Sequence, residues 1–355
     1  MSTESGFDSN GGMSCPLPIQ HYQKVLLAHG GGGKLTQQMI RELFVSQFQN
    51  EYLEQLHDGA IFPIKGGRLA FTTDSYVVNP IFFPGGDIGQ LAVNGTVNDL
   101  AMCGSVPLYL SVALIIEEGL PIEDLWRVVL SMQKAARNAN VKIVTGDTKV
   151  VDRGKGDKVF INTSGIGIIE PDVDINPKRA AAGDTIILSG LIAEHGIAIM
   201  SVREGLEFET KIESDTAPLH GLVAKMLSAS KNIHVLRDPT RGGIASALSE
   251  IAGQARVGIS ITETTIPIGE AVKGGCEILG LDPLYVANEG KLLAFVPANE
   301  TKKVLEAMRA HALGREATVI GRVVADHPGI VIMETRIGGH RIVDMMSGEQ
   351  LPRIC

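Results

Sequence analysis

The sequence predicts two α/β or α+β domains in series, each with its own sheet and flanking helices. Three observations predict it. Segments with helical spacing of apolar residues alternate with short apolar, β-branched runs through both halves of the chain. Composition shifts at "EPDVDINPKRAAAGD" (residues 170–184), where two prolines and several charges mark an inter-domain link. The length, 355 residues, is ample for two cores. The expected boundaries are a disordered leader at 1–19, an N-terminal domain at 20–172, a C-terminal domain at 173–344 and a mobile tail at 345–355.

In order, the Ser-, Gly- and Asn-rich leader has no structural signal, and the chain reads as globular from about Lys24. "KVLLAH" is an extended entry into "GGGGK". "LTQQMIRELFVSQF" is a helix with Leu35, Met39, Leu43 and Phe44 on one face. "RLAFTTDS" is a strand running into a turn. Asp87 is placed to cap a helix ending near Gly104. "VPLYLSVALII" is a buried strand, and "PIEDLWRVVLSMQKAARNA" an amphipathic helix opened by a proline. "VKIVTGDTKVV" and "KVFINTSGIGII" are strands. In the second half "DTIILSG", "VGISITET" and "GKLLAFVP" read as strands. "EHGIAIMSVREG", "APLHGLVAKMLSAS", "EAVKGGCEILG" and "ETKKVLEAMRAH" read as helices, "DPTRGGIASALSEIAGQA" as a loop then a helix, and strands close the domain by about Asp344. The last residues have no periodic apolar face.

The charge balance excludes some partners. Lys+Arg is 32 against Asp+Glu 40, and no basic block is present, so the chain is not expected to bind nucleic acid. The longest apolar stretch, Pro107 to Ile116, is too short to span a bilayer, so no membrane association is expected. No secretory signal is visible, and the protein reads as cytoplasmic. The cysteines are Cys15, Cys103, Cys276 and Cys355; none forms a C-x-x-C pair, which argues against structural zinc and a disulfide framework. Cys103 and Cys276 read as buried hydrophobes, and Cys15 as incidental. Cys355 stands apart: only its own α-carboxylate follows it.

Two groups of residues carry chemistry. "GGGGK" is not a P-loop, because Ala28 stands where the first glycine should be and Leu35 where Ser or Thr should be. A glycine run before a helix still turns N–H groups toward an anion. The aspartates are the stronger signal. Asp58, Asp74, Asp99 and Asp147 each end an apolar segment or adjoin glycine, and Asp238 opens "DPTRGG"; carboxylates so placed can hold Mg²⁺ against phosphate. Asn94 and Asn98 share a helix face, with Asp99 beside it.

"HGGGGK", "TTDSYVVNP", "FFPGGDIGQLAVNGTVNDLAMCG", "EEGLP", "VTGDTKVV", "INTSGIG", "DPTRGG", "ANEGKL" and "PRIC", in that order, resemble the HypE family of nickel–iron hydrogenase maturation factors. The resemblance runs from Lys24 onward. It implies an ATP-binding superfamily shared with aminoimidazole ribonucleotide synthetase, selenophosphate synthetase and thiamine-monophosphate kinase. The implied N-terminal sheet dimerises into a β-barrel, and a C-terminal α/β domain packs against it. The implied cofactors are ATP and Mg²⁺, between the glycine loop and the aspartates. On this chain that assigns Gly31, Gly32, Gly33, Lys34, Asp74, Asn98, Asp147 and Thr148 to the nucleotide, and Asp58, Asp74, Asp99 and Asp238 to the metal.

The resemblance further implies that Cys355 carries a carbamoyl group delivered by the carbamoyltransferase HypF. ATP-dependent dehydration would turn it into a thiocyanate, whose cyanide goes to iron on the HypC–HypD complex. A thiolate suits this as nucleophile and leaving group. The α-carboxylate should raise the thiol pKa and Arg353 lower it. Phosphorylating the amide oxygen makes it a leaving group, and a base must take the amide protons. Glu289 is the preferred base, with His195 and His220 as alternatives; Lys149 would neutralise phosphate charge. A selenophosphate synthetase is disfavoured because the glycine loop lacks a thiol. Aminoimidazole ribonucleotide synthetase has no need of a terminal cysteine. A metallochaperone scaffold using Cys355 as ligand ranks low, because one thiol beside one carboxylate is a weak metal site.

Overall fold

The structure is a computed structural model that describes residues 26, 29, 31–45, 48, 50–206, 211–346, 351, 354 and 355. The leader, Cys15, Pro352 and Arg353 lie outside the described residues, as does most of "KVLLAH".

The N-terminal elements are helix α1 (Lys34–Met39) with a wider π-type turn (Ile40–Val45), β1 (Ala60–Ile64), β2 (Gly67–Tyr76), a small hairpin of β3 (Phe82–Phe83) and β4 (Gly86–Asp87), α2 (Ile88–Met102), β5 (Ser105–Glu117), α3 (Ile122–Asn138), β6 (Lys142–Val151) and β7 (Val159–Ile169). Among the described residues the first sheet runs β1-β2-β7-β5-β6. Its pairs are antiparallel except β5 with β6. Asp87 caps α2 by accepting from Gly89 N at 2.8 Å and Gln90 N at 3.1 Å, satisfying two amides that the helix itself cannot. α2 is buried on nearly every side, as a helix apolar all round must be. α3 is amphipathic and buries Val128, Met132, Ala135 and Ala136 at i, i+4, i+7 and i+8.

After the link come β8 (Asp184–Leu188), α4 (Glu194–Arg203), α5 (His220–Ala229), β9 (Val235–Arg237), α6 (Gly243–Ala255), β10 (Gly258–Thr262), α7 (Glu270–Leu279), β11 (Leu293–Pro297), α8 (Thr301–Arg309), β12 (Thr318–Val324), β13 (Val331–Glu334) and β14 (His340–Val343). They form a mixed sheet in the order β14-β13-β10-β12-β8-β11-β9. The sequence reading missed β1, the β3–β4 hairpin and β9; the two- and three-residue strands leave no period to read. The two sheets part between Ile169 and Asp184, inside the stretch where composition shifts.

A shared core joins the halves. Leu100, Met102, Ile169, Val173 and Ile175 pack with Leu222, Met226, Leu236 and Leu292. A polar seam runs beside it. Asn98 Nδ2 donates to the carbonyls of Ala217 and Glu289, and its Oδ1 accepts from Leu219 N at 2.7 Å. Asn94 Nδ2 donates to Thr216 Oγ1.

The expected barrel is that of a dimer; within one chain the first sheet is open among the described residues, with β1 and β6 as its edges. The last two residues of the tail make contacts with the first domain. Ile354 bridges to Val78 and is 3% exposed, and Cys355 O accepts from Val77 N at 2.9 Å. The reason is local: an apolar residue one place before the end finds the core of the first domain.

Candidate active site

The site is built where the end of β2, the middle of α2 and the loop after β9 meet. β2 supplies Asp74 and Tyr76, α2 supplies Gly95 and Asp99, and the "DPTRGG" loop supplies Asp238, Thr240 and Arg241. With Glu289 and Cys355 these residues enclose a cavity of about 30 Å³. On the far side of Asp58 a larger cleft of about 480 Å³ opens between Tyr52, Phe71, Arg237 and Glu250. The carboxylates therefore stand between a roomy cleft and a small chamber that holds the thiol.

Asp58, Asp99 and Asp238 each offer an oxygen within 4.8 Å of the others. Asp58 is paired to Arg237 Nη1 at 2.5 Å, and Arg237 also binds Glu250. Burial opposes its charge, but Arg237 and then His57 outweigh burial and hold its carboxyl below the usual range. Asp99 has no such partner among the described residues. Burial first, then Asp238, Asp74 and Asp58, push it well above the usual range, against a 2.8 Å hydrogen bond from Thr72 Oγ1. Burial and Asp58 raise Asp238 to about 7, with Arg237 opposing. Asp58 Oδ2 is buried and has no hydrogen-bond partner among the described residues. Three mutually repelling hard-oxygen donors, one with an orphan atom, fit a divalent cation such as Mg²⁺. Asp74, also expected on the metal, is not in this trio; it lines the thiol chamber and faces Arg241 at 4.0 Å.

Glu289 is 3% exposed, and its Oε1 has no partner among the described residues. Asp215 fixes its backbone by accepting from Glu289 N at 3.0 Å and Gly290 N at 3.2 Å. Gly290 is required here, since a Cβ would lie 1.8 Å from Asp215 O. Lys291 balances Asp215 at 3.3 Å and reaches Glu194 at 3.1 Å. Burial, then Asp215, Asp238 and Asp74, push the Glu289 carboxyl well up, with Arg241 opposing. Burial pushes the Cys355 thiol up to about 12, Arg241 opposes, and Glu289 and Asp74 add to the rise. Arg353 was expected to lower it; among the described residues Arg241 does that, because "DPTRGG" turns it into the chamber.

Other expected site residues are placed differently. Asn98, expected on the nucleotide, has its amide committed to the polar seam between the domains. The glycine run is not a free anion cradle in this state. Gly32 N donates to Thr36 Oγ1, Lys34 N donates to Met346 O, and the Lys34 ammonium pairs with Asp344. Gly32 (φ +74°) lies against the Arg241 backbone, which keeps the loop beside the site. Gly31 and Gly33 share that loop. Asp147, Thr148 and Lys149 lie on edge strand β6, exposed, with Lys149 paired to Asp147 at 3.0 Å. The register Asp74–Thr163–Val112–Gly146 puts three strand spacings, about 14 Å, between β6 and the site strand. His220 opens α5 next to His311 and does not line the chamber. His195 is fully buried beneath the tail rather than beside the thiol. The reading missed Arg241, Tyr76, Arg237 and Asp215. Arg241 was visible inside a quoted motif, whereas "ESDTAP" around Asp215 carries no signal.

The fold and the site define an ATP-utilising architecture of two AIR synthase-like domains. The description "AIR synthase related protein, N-terminal domain" matches residues 56–169, and "AIR synthase related protein, C-terminal domain" matches 181–334. Carbamoyl dehydratase HypE of Azotobacter vinelandii is 56% identical over 331 residues, 93% of this chain and 97% of that protein. Carbamoyl dehydratase HypE of Escherichia coli K12 is 45% identical, covering 93% and 99%. The crystal structure of hydrogenase maturation protein HypE in complex with ATP matches with TM-score 0.79 at 50% identity, over 94% of this chain and 100% of that one. The HypE chain of a HypE–HypF complex matches with TM-score 0.83 at 49% identity, over 87% and 99%. The chain belongs to the HypE family of carbamoyl dehydratases. Among the described residues no helix is long and apolar enough to cross a membrane.

Proposed function

We propose that this chain dehydrates a carbamoyl group carried on its own Cys355, using ATP, and so supplies the cyanide ligand of a nickel–iron hydrogenase. The observation that carries the reading is the chamber itself. A thiol near the chain end sits with an unpartnered carboxylate, Glu289, and the carboxylates that close the chamber stand between it and a cleft of nucleotide size.

The step balances as follows. The carbamoyl oxygen attacks the γ-phosphorus of ATP, and ADP leaves. Glu289, whose Oε1 has no partner among the described residues, takes one N–H proton. The C–O bond then breaks, phosphate departs with the second proton, and S–C≡N remains on Cys355. Asp58, Asp99 and Asp238 would hold Mg²⁺, which offsets phosphate charge when bound. Arg241 stands ready to stabilise charge beside the thiol.

The ATP complex and the HypE–HypF complex of relatives support ATP as substrate and HypF as the partner that loads the thiol. HypC–HypD is the proposed acceptor. A homodimer through the outer face of the first sheet is supported by Phe71, Val106, Tyr109, Ile115 and Ile168, which share that face by register and are 41–53% exposed. Lys149 and Asp147 reach the reaction only if a second copy carries them there. Intact mass after incubation with a HypF-type carbamoyltransferase, carbamoyl phosphate and ATP tests the reading. One carbamoyl group should be gained and one water then lost, the loss requiring a hydrolysable ATP. Modification of Cys355→Ala would sink it.

A further inference from the structure

The tail enters the site over a histidine. His195 lies on α4, the first helix of the second domain, and is 0% exposed. Its Nε2 is 2.5 Å from the carbonyl oxygen of Ile354, and its Nδ1 is 2.8 Å from Ser214 Oγ. A carbonyl only accepts, so Nε2 carries the proton, and Nδ1 accepts from the Ser214 hydroxyl. The ring stands edge-on to Phe83, with centroids 5.6 Å apart. Ring position and tautomer are thus both fixed. Burial depresses the imidazole pKa, which keeps the neutral donor.

The contact lies one residue before Cys355. On the other side of the tail, Val77 N donates to Cys355 O, and Val78 bridges Ile354. Leu351 packs beside Gly196, the residue after His195. The last residues are therefore gripped between the end of β2 in one domain and the start of α4 in the other. The β2 side offers ordinary extended-chain pairing. His195 is the side-chain group that fixes the carbonyl adjoining the thiol residue.

We propose that His195, oriented by Ser214, is a positioning residue that holds the Ile354 carbonyl and so seats Cys355 beside Glu289 for the ATP-dependent step. The assignment rests on the function proposed above for its catalytic meaning; the seating of the thiol does not depend on it. His195 takes no part in proton transfer to substrate, because both ring nitrogens are committed.

The experiment uses the full chain with three substitutions. His195→Leu removes the donor at similar bulk, His195→Gln returns an N–H near Nε2, and Ser214→Ala leaves the ring without its orienting hydroxyl. Alkylation of Cys355 by iodoacetamide is followed by peptide mass in the unloaded protein. Dehydration is followed separately on carbamoylated protein. His195→Leu should be alkylated at Cys355 about 10-fold faster or more, and its dehydration should slow by a similar factor. His195→Gln should return both toward wild type, and Ser214→Ala should move both a few-fold in the direction of the leucine variant. Wild-type alkylation rates in both His195→Leu and Ser214→Ala would overturn the proposal, also if His195→Leu is poorly folded and only Ser214→Ala can be read. Equal acceleration in His195→Leu and His195→Gln would overturn it too, since donation would not be the cause. A wild-type protein that is never carbamoylated would defeat the proposed function and leave the alkylation result standing.

Discussion

Arg237 Nη1 stands 2.5 Å from Asp58 Oδ1, and its other arm holds Glu250. This one guanidinium keeps Asp58 ionised while Asp99 and Asp238, a few ångströms away, are driven toward their protonated forms. The trio is thereby tensioned for a cation. Asp99→Asn and Asp58→Asn should each abolish Mg²⁺-dependent ATP turnover and leave loading of Cys355 by the carbamoyltransferase intact. Phosphate release and intact mass read the two steps; normal turnover in both variants would move the metal elsewhere.

The same trio sets a pH dependence of stability. Asp238 rises from 3.8 unfolded to about 7 folded, so between those values the folded chain binds the extra proton. Without metal, stability should fall as pH rises from about 4 to about 7 and then level, by on the order of 2–4 kcal/mol from this group. Added Mg²⁺ should raise Tm more at pH 8 than at pH 6, where protons compete. Asp238→Asn should flatten the metal-free profile and erase the Mg²⁺ shift. A Tm shift that is the same at both pH values would contradict the assignment.

How much of this was legible in the sequence follows from what each residue depends on. Asp58, Asp99 and Asp238 were marked by glycine and strand-end settings, because hard-ion sites demand carboxylates on short, tightly turned segments. Glu289 was marked by its unusual neighbours, and the order of helices and strands by periodicity. Asn94 and Asn98 were seen as a polar pair on an apolar helix, but not that Asn94 binds the Thr216 hydroxyl and Asn98 the backbone of Ala217, Leu219 and Glu289. That contact joins segments more than a hundred residues apart, and no local pattern encodes it. Arg241 and Arg353 were indistinguishable as cations in the sequence; the left-handed turn at Gly242 follows Arg241 at the chamber. The docked tail was illegible for the same reason: Ile354 alone makes no period.

Glu289→Gln should bind ATP normally and accept the carbamoyl group, then stall. The expected loss in single-turnover dehydration is about 10²–10⁴-fold, the usual range for removing a positioned base. Dehydration at the wild-type rate would eliminate Glu289.

Asp215 acts through that glutamate. Its carboxylate holds two consecutive amides and is balanced by Lys291. Asp215→Asn points an N–H at an N–H and leaves the nearly buried Lys291 with Glu194 alone. Dehydration should fall about 10- to 100-fold while KM for ATP stays unchanged, and stability should drop by about 1–3 kcal/mol. If KM for ATP rises with kcat unaffected, Asp215 supports the nucleotide rather than the base.

The last prediction decides where Lys149 works. Within one chain it lies on the edge strand, about 14 Å of sheet away from β2. No side chain covers that distance, so in a monomer Lys149→Ala should be silent. A second copy laid on the outer sheet face would bring the exposed apolar residues of both chains together, and with them a second β6. Lys149→Ala and Cys355→Ala chains, each inactive alone, should then complement when mixed. In a mixed dimer the intact thiol on the first chain would meet the intact lysine of the second. Random exchange of equal amounts makes about half the dimers mixed, each with one complete site of two, so about a quarter of the wild-type activity should return. Tyr109→Glu, on the outer face at a position 42% exposed in the single chain, should break the dimer in light scattering and remove activity together with it. Full activity in Lys149→Ala alone, or no recovery on mixing two chains that are each dimeric and folded, would place the lysine outside the reaction.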